Sequence, residues 1–279
     1  KNDKAVVALK TLRLDRDYYE EEYYELHRRD ALAMDRLTSS KFVVNIYGYC
    51  GQSVINEYAD FRWQSLEAFN QQLRRYPVKD RSVHLLKLQI ATRIAVGLAH
   101  IHEHSIVHYD LNPRNIAMIG HDGRPKLNDF NTCEFVAKTI TNSTNCTTFR
   151  SRLHEPWWRA PEEMNTSKSS DTRINEKVDV YALGNLLYSI LTTHAPRGKM
   201  KDYRKEKVRD LVSKGIIPPI VGDVKDVIKT NDALLAIQNA MLLCYEPNPT
   251  KRPSARQIAD VLLKALHKNM PDKKERKRL

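Results

Sequence analysis

The chain has 279 residues, 41% of them hydrophobic and 29% charged, which fits a globular protein that can bury a sizeable core. Its formal net charge of +12 comes largely from residues 197–209 and 264–279, and neither stretch interleaves basic with aromatic residues, so we expect no nucleic-acid partner. No apolar stretch reaches the roughly 20 residues of a membrane span. The four cysteines lack CxxC spacing, which disfavours a zinc site or a disulfide framework. This cysteine usage favours a cytoplasmic setting.

The first part of the chain predicts a strand and a helix that meet through two charged side chains. Residues 5–9 form an apolar run typical of a buried strand, which ends at Lys10. A helix is predicted to begin near Tyr18, because five positions recur at helical spacing: Leu26, Asp30, Ala33, Met34 and Leu37. Asp30 therefore lies on an apolar face, where an acid needs a partner, and Lys10 is the obvious candidate.

Two pairs of strands follow. Residues 43–50 and 53–58 are predicted to form strands joined by a Gly-Gln turn. Residues 116–119 and 125–127 predict a second hairpin, because the Asp-Gly pair between them supplies the positive φ that a tight turn needs.

Helices dominate the rest of the chain. Apolar spacing predicts them at residues 66–73, 85–104, 178–191, 202–214, 233–244 and 254–267. Residues 133–156 show little periodicity and much Ser, Thr and Asn, which predicts a long exposed loop, and such a loop is usually functional. The fold class expected is α+β, with a small strand-rich part followed by a larger, mainly helical part.

Three polar residues flank the second hairpin and can meet at one point. Asp110 and Asn115 bracket a short loop, and Asp129 follows across the hairpin. Because a hairpin returns its ends to the same place, we expect the three side chains to converge. Two carboxylates and a carboxamide suit Mg²⁺, which binds through one or two carboxylates plus phosphate oxygens. One Asp then remains to orient a hydroxyl or accept its proton.

Six motifs, in order, resemble those of the eukaryotic protein kinase domain over about residues 1–268. They are residues 7–10 (VALK), similar to the family's VAIK; 108–110 (HYD), to its HRD; 129–131 (DFN), to its DFG; 160–162 (APE), to its APE; 179–184 (DVYALG), to its DxWxxG; and Arg252, at the place of the Arg that pairs with the APE glutamate. Small-molecule kinases share the Asp-to-Asn spacing but lack the APE segment and that Arg.

The resemblance implies a bilobal fold. Residues 1–59 would form a partial amino-terminal lobe with the hinge, residues 60–268 the carboxy-terminal lobe, and residues 269–279 a basic tail. It also implies ATP and Mg²⁺ as cofactors and a protein as substrate. The family's glycine-rich phosphate loop is expected upstream of Lys1, in a longer protein that could carry a membrane segment there.

The same resemblance assigns roles to individual residues. Lys10 would hold the α- and β-phosphates of ATP, Asp30 would hold Lys10, and Asp110 would be the catalytic base. The metal ligands would be Asn115 and Asp129. The adenine site would comprise Ala8, Ala117, the gatekeeper Asn56 and the hinge residues Glu57, Tyr58 and Ala59. Asp179 would support the catalytic loop from below.

Three departures from the family pattern lie around the nucleotide site. Asp30 stands for Glu and is shorter by one C–C bond, about 1.5 Å, so its ion pair needs a closer helix, or help from Glu25 or a water. Tyr109 stands for the Arg that reads a phosphorylated activation loop, which predicts weak dependence on such phosphorylation. Asn131 stands for Gly, and Asn tolerates the left-handed backbone that this position often needs.

Two further departures concern the transferred phosphate and the substrate. Asn112 stands where serine/threonine kinases carry a Lys, but Arg114 occupies the place of an Arg of many tyrosine kinases and can supply the cation; a surface role for Arg114 is the alternative. Glu155 stands where serine/threonine kinases often have Thr, and Trp157 and Trp158 either shape a peptide groove or belong to the core. We favour serine/threonine specificity, because the Asn-Pro of LNPRN and the Trp-Arg before APE are closer to that class.

Two functions are therefore predicted. The first is an active ATP- and Mg²⁺-dependent protein kinase, because Lys10, Asp110, Asn115 and Asp129 are all present. The alternative is a pseudokinase, an interaction module that binds partners or nucleotide without turnover, because several positions depart from the family pattern.

Overall fold

The computed structural model describes residues 6–11, 21–38, 40–136, 148–151, 155–164, 173–198, 205–220 and 222–270. Within these residues, a small antiparallel sheet with one helix precedes a larger, mainly helical part. The fold class is therefore α+β, as the sequence predicts.

The small sheet contains β1 (Val7–Lys10), β2 (Ile46–Cys50) and β3 (Ser53–Glu57), in the order β1-β3-β2. β2 and β3 form the predicted hairpin, and Gly51 in its turn has a φ of 55°, a conformation that glycine adopts at little cost. β1 pairs with β3 so that Lys10 lies opposite Val54. The strand therefore delivers Lys10 at its end, next to the helix that follows.

Helix α1 (Glu21–Arg36) presents the predicted stripe to the core. Asp30, Ala33 and Met34 are buried, Leu37 is buried just beyond the helix end, and Leu26 is half-buried. The predicted start near Tyr18 lies outside the described residues. The buried stripe carries an acid because the lysine of β1 meets it there.

Among the described residues, seven helices follow: α2 (Leu66–Leu73), α3 (Arg81–Glu103), α4 (Lys177–Thr192), α5 (Lys205–Ser213), α6 (Val224–Lys229), α7 (Asp232–Cys244) and α8 (Ala255–Asn269). α4 is buried along almost its whole length and packs against α7, while α3 packs against α8. α6 was not predicted.

Helix starts follow ordinary capping chemistry. The side chain of Ser65 accepts a hydrogen bond from the backbone of α2, and Asn231 does the same for α7. α8 begins with a capping box between Ser254 and Gln257. Each cap satisfies a backbone N–H that has no partner inside its helix, which explains why the helices begin there.

Short two-stranded pairs lie between the helices: β4 (Ile106–Val107) with β7 (Glu134–Phe135), β5 (Ile116–Ile119) with β6 (Arg124–Leu127), and β8 (Phe149–Arg150) with β9 (Arg173–Ile174). The β5–β6 hairpin was predicted, and Gly123 in its turn has a φ of 66°. Within the long exposed loop predicted over residues 133–156, β7 and β8 were not predicted, since strands of two residues show no periodicity. Residues 137–147 and 152–154 of that loop lie outside the described residues.

The sheet and the helical part are joined at Leu127. Its N–H donates to the carbonyl of Phe42 at 2.8 Å, and its carbonyl accepts from the N–H of Val44 at 3.0 Å. Lys126, next in β6, pairs with Glu57 at the end of β3, with 2.7 Å between Nζ and the carboxylate. These contacts fix the end of β6 beside the small sheet.

Candidate active site

The loop between β4 and β5 holds Asp110 and Asn115 together. The side-chain amide of Asn115 donates to the backbone carbonyl of Asp110 at 2.8 Å and to its carboxylate at 2.9 Å. The amide of Asn112 donates to the same carboxylate oxygen at 3.3 Å, while its own oxygen accepts from the N–H of Arg114. A 3-10 turn at Pro113–Asn115 therefore brings the two ends of the motif into contact.

Asp179 of α4 supports this loop from inside the protein. Its carboxylate accepts hydrogen bonds from the backbone N–H groups of His108, at 2.7 Å, and Tyr109, at 2.8 Å. The ring of His102 lies 2.9 Å away. Burial alone would raise the pKa of Asp179, but the hydrogen bonds and the charges of the neighbouring histidines outweigh it and hold the pKa below its usual value.

Lys10 contacts two carboxylates at once. Its Nζ lies 2.8 Å from Asp30 Oδ2 and 2.8 Å from Asp129 Oδ1. Burial lowers the pKa of Lys10, but the two carboxylates outweigh that effect, so the pKa is raised and the ammonium stays charged. Glu25 does not assist, since it pairs with Arg28 and Arg29 instead.

Asp30 reaches Lys10 without help because α1 lies close to the segment after β6. Asp30 is fully buried, and its second oxygen accepts the backbone N–H of Phe130 at 2.7 Å. Asp30 therefore binds the lysine and fixes the residue after Asp129. The shorter acid suits this geometry.

The backbone at Asn131 differs from the expectation. Among the described residues other than glycine, positive φ occurs at Ser105, Tyr109, Asp129 and Thr193. The left-handed residue of the segment is thus Asp129, with a φ of 66°, and not Asn131. The replacement of glycine by Asn131 therefore needs no left-handed backbone, which agrees with the prediction that this change is permissive.

A residue absent from the predicted site, Arg159, contacts the candidate base directly. Its guanidinium lies 2.9 Å from Asp110 Oδ1, donates to the carbonyl of Tyr109, and lies over the Tyr109 ring, 5.3 Å from its centroid. Arg114 is exposed. In the sequence, the one signal for Arg159 was its position just before the APE motif, because its contact with Asp110 joins residues 49 positions apart.

Tyr109, which replaces the Arg of the HRD motif, is buried at 1% exposure. Its ring makes an edge contact with Phe149 of β8, with 5.0 Å between centroids. Tyr109 thus lies between the catalytic loop, β8 and Arg159. This packing needs no phosphate group.

Oxygen donors for a cation remain on both sides of the loop. Within the described residues, the Asn115 side-chain oxygen and the second oxygen of Asp129 accept no hydrogen bond. One carboxylate and one carboxamide oxygen, beside an open site, form the kind of incomplete shell that Mg²⁺ fills with water and phosphate oxygens. The donor set therefore fits the predicted metal.

The predicted adenine site lies along β1 and β3. Ala8 lies opposite Asn56 in the sheet, and Ala117 of β5 is nearly buried. Glu57 is held by Lys126 and by the N–H of Asn45, at 3.0 Å. The half-buried Ala59 follows. The side chain of Asn56 is also buried, and in the part of the chain that the structure describes its oxygen has no hydrogen-bond partner.

Arg252 and Glu162 form the predicted ion pair. Two guanidinium nitrogens donate to the two carboxylate oxygens, at 2.7 and 3.0 Å, and Arg252 is 1% exposed. A paired fork of this kind also defines orientation. It fixes the segment that carries Arg159 to the helical part.

The family model of the protein kinase domain matches residues 1–262. The chain belongs to the protein kinase family. Its small antiparallel sheet and larger helical part are the two lobes of the kinase fold. The order of its motifs and their contacts agree with this membership.

Relatives from both specificity classes are similar to this kinase domain. Tyrosine-protein kinase Btk of Drosophila melanogaster is 27% identical over 225 residues, 79% of this chain and 25% of that protein. Serine/threonine-protein kinase PrkC of Bacillus subtilis is 30% identical over 192 residues, 68% of this chain and 27% of that protein. A leucine-rich repeat receptor-like protein kinase of Arabidopsis thaliana, whose name carries the word inactive, is 26% identical over 183 residues, 63% of this chain and 17% of that protein.

The chain thus spans about a quarter or less of the length of these relatives. Across the part of the chain that the structure describes, no helix is both long enough and apolar enough to span a membrane.

Proposed function

We propose that this kinase domain is catalytically active and transfers the γ-phosphate of ATP to a hydroxyl group of a protein. The observation that carries the proposal is the double ion pair of Lys10 with Asp30 and Asp129. Asp30 is buried while Lys10 and Asp129 are about one-third exposed, and a partly buried charge network of this kind is costly unless each member is paired. Here it holds the lysine beside the loop of Asp110 and Asn115.

Asp110 is the proposed base. A carboxylate offers about four lone-pair sites, and Asp110 uses three of them, for Asn112, Asn115 and Arg159. One acceptor site therefore remains for the hydroxyl of a substrate, and a third of the side chain, 33%, is exposed to receive it. Asp110 would orient that hydroxyl and accept its proton.

Lys10 is proposed to hold the α- and β-phosphates, and Asn115 and Asp129 to hold the metal. These two residues would hold Mg²⁺, which would supply positive charge against the phosphates. Ala8, Ala117, Glu57 and Ala59 would enclose the adenine. Residues 1–59 would serve as a partial amino-terminal lobe with the hinge, residues 60–268 as the carboxy-terminal lobe, and residues 269–279 as a basic tail.

The cation beside the phosphate has two candidates. Arg114 is exposed in the catalytic loop and remains a proposed contact, whereas Arg159 already touches Asp110. Serine/threonine specificity also remains a proposal, since relatives of both classes match the chain. The protein is proposed to act in the cytoplasm, alone or as part of a longer membrane protein.

A pseudokinase is the second candidate. It is favoured by the replacements at Asp30, Tyr109, Asn112 and Asn131, and by the similarity to a receptor-like kinase whose name reads "probably inactive". This module would bind partners, with or without nucleotide, and would not transfer phosphate.

The two candidates are separated by transfer from γ-labelled ATP to a mixture of Ser-, Thr- and Tyr-containing peptides, using the full-length protein. An active kinase labels peptides, Asp110→Asn abolishes labelling, and Asp35→Asn, the same change on the exposed side of α1, leaves it intact. Equal labelling by wild type and Asp110→Asn contradicts the proposal. A melting temperature raised by ATP and Mg²⁺, with no labelling of any peptide, supports the pseudokinase.

A further inference from the structure

A cleft of about 840 Å³ lies beside the catalytic loop. α2 lines one side and α5 the other, and the carboxy-terminal end of α4 forms the floor. Pro113 of the catalytic loop and Trp158, next to Arg159, lie in its wall. Trp158 precedes Arg159, which touches Asp110, so the cleft lies near the proposed base.

The charged side chains of this cleft are mostly basic. Arg74, Arg75 and Arg197 line it, against one acid, Glu67. The guanidinium of Arg74 donates twice to the carbonyl of Thr193, at 3.0 and 2.6 Å, and that of Arg197 donates to the carbonyl of Ile216 at 2.6 Å. Neutral carbonyls therefore fix two of the arginines, and none of the three pairs with a carboxylate among the described residues.

The fixed positive charge distinguishes this surface from an ordinary basic patch. Most exposed arginines lose side-chain entropy when they bind an anion. Arg74 is already fixed in place by Thr193, so it would lose less. Asn70 adds a second feature: it is 3% exposed, donates to Ser189, and its side-chain oxygen has no hydrogen-bond partner among the described residues. An unpaired buried acceptor in the wall of a cleft can receive the N–H of a bound peptide.

We propose that this cleft binds acidic side chains of the protein substrate, so that the kinase prefers Asp and Glu near the hydroxyl it phosphorylates. The inference rests on the proposed function, because it names the substrate class of that site. Three arginines against one acid complement a carboxylate, and they repel the basic side chains that an acidic cleft would attract. Trp158 supplies an apolar surface beside the charges, and is half-buried there.

Arg75 is the residue to change, because it is exposed and makes no side-chain hydrogen bond or ion pair within the described residues. Arg75→Glu reverses one charge in the cleft without disturbing the carbonyl contacts of Arg74 and Arg197. Arg75→Lys keeps the charge. Lys264→Glu is the matched control, since it makes a similar charge change at an exposed position of α8 that does not line the cleft.

The first measurement is binding of labelled peptides to the Asp110→Asn protein, which requires no transfer. The probes are peptides with a central Ser, flanked by Glu, Ala or Lys. The Glu peptide is expected to bind up to about fivefold more tightly than the Ala peptide, which is the upper end for an exposed charge pair. Arg75→Glu should remove this preference, while Arg75→Lys and Lys264→Glu retain it.

The second measurement is phosphorylation of the same peptides by the protein with Asp110 intact, read as the ratio of kcat/KM for the Glu and Ala peptides. Arg75→Glu should lower the ratio about fivefold, whereas Lys264→Glu should leave both the ratio and kcat/KM for the Ala peptide unchanged. Equal binding of the Glu and Ala peptides, or an equal loss of the preference for the Glu peptide in Lys264→Glu, overturns the proposed binding of acidic side chains in the cleft. Selective binding with no phosphorylation leaves the cleft intact and overturns the proposed transfer, so the two failures are distinguishable.

Discussion

The guanidinium of Arg159 lies 2.9 Å from the carboxylate of Asp110, so a cation stands beside the proposed base although Asn112 supplies none. The two residues come from separate segments, the catalytic loop and the turn before the APE motif. The Arg252–Glu162 pair fixes the second segment to the helical part. The position of Arg159 is therefore set by the fold and not by a flexible loop alone.

Arg159→Met is expected to lower kcat on the order of a hundredfold, the effect of removing one fixed electrostatic contact in an active site. KM for ATP should change little, because the contacts of Lys10 and Asp129 do not involve Arg159. Arg159→Lys should recover part of kcat, since it restores the charge but not the two contacts that the guanidinium makes with the Tyr109 carbonyl and the Asp110 carboxylate. Steady-state kinetics measure kcat and KM for wild type and both variants at equal concentrations of folded protein. A kcat for Arg159→Met equal to or above that of wild type would mean that the contact restrains the base instead.

Asp30→Glu restores the residue usual in the family, and it is nevertheless expected to destabilise the protein. Asp30 is fully buried with both oxygens bonded, and an extra methylene in a packed site costs about 1–3 kcal/mol. Labelling activity should not rise. Denaturant unfolding measures the free energy, and Asp35→Glu, on the exposed face of the same helix, should leave it unchanged. A more stable or more active Asp30→Glu protein would contradict the close fit of the shorter acid.

Glu163 gives the protein a defined pH dependence. Burial raises the pKa of its carboxyl to about 7, although Arg159 nearby acts in the opposite direction. A carboxyl with a raised folded-state pKa contributes stability that is present below its unfolded pKa, near 4.5, and is lost as the pH rises through about 7. The side chain of Glu163→Gln does not titrate. The unfolding free energy of this variant minus that of wild type should therefore rise by up to about 3 kcal/mol between pH 4.5 and pH 8.

Unfolding free energies of Glu163→Gln and wild type, measured from pH 4.5 to pH 8, test this prediction. Glu206→Gln, an exposed change on α5, should follow the wild-type curve. If the difference between Glu163→Gln and wild type does not vary with pH, the carboxyl titrates as it would in water.

The sequence predicted what periodicity and local chemistry encode. α2 and β5 were predicted at their observed bounds, because a clear apolar pattern and a turn signal define them. The Lys10–Asp30 pair followed from an acid on an apolar helix face. In contrast, β4 and β7 are two residues long, and α6 has a single buried residue. None of the three therefore shows an apolar periodicity in the sequence.

Contacts between distant segments were harder to predict. Arg159 meets Asp110 across 49 positions, and nothing local to either residue requires the pairing. Likewise, the positive φ at Asp129 depends on how α1 holds the N–H of Phe130, a tertiary contact. The sequence therefore indicated which side chains carry charge in the site, and the fold determined which of them touch.

Gly184 tests the packing that supports Asp179 from the same helix. A methyl group added at Gly184 would lie 2.9 Å from Cβ of Cys244 and 3.4 Å from the ring of Tyr245, so α4 and α7 would have to move apart. Alanine gains up to about 1 kcal/mol of helix propensity over glycine, but overpacking costs about 1–3 kcal/mol. Gly184→Ala should therefore lower the unfolding free energy, while Gly48→Ala, where no atom lies within 4 Å, should not. Chemical denaturation of both variants measures this, and an equally stable Gly184→Ala protein would show that the two helices have room to adjust.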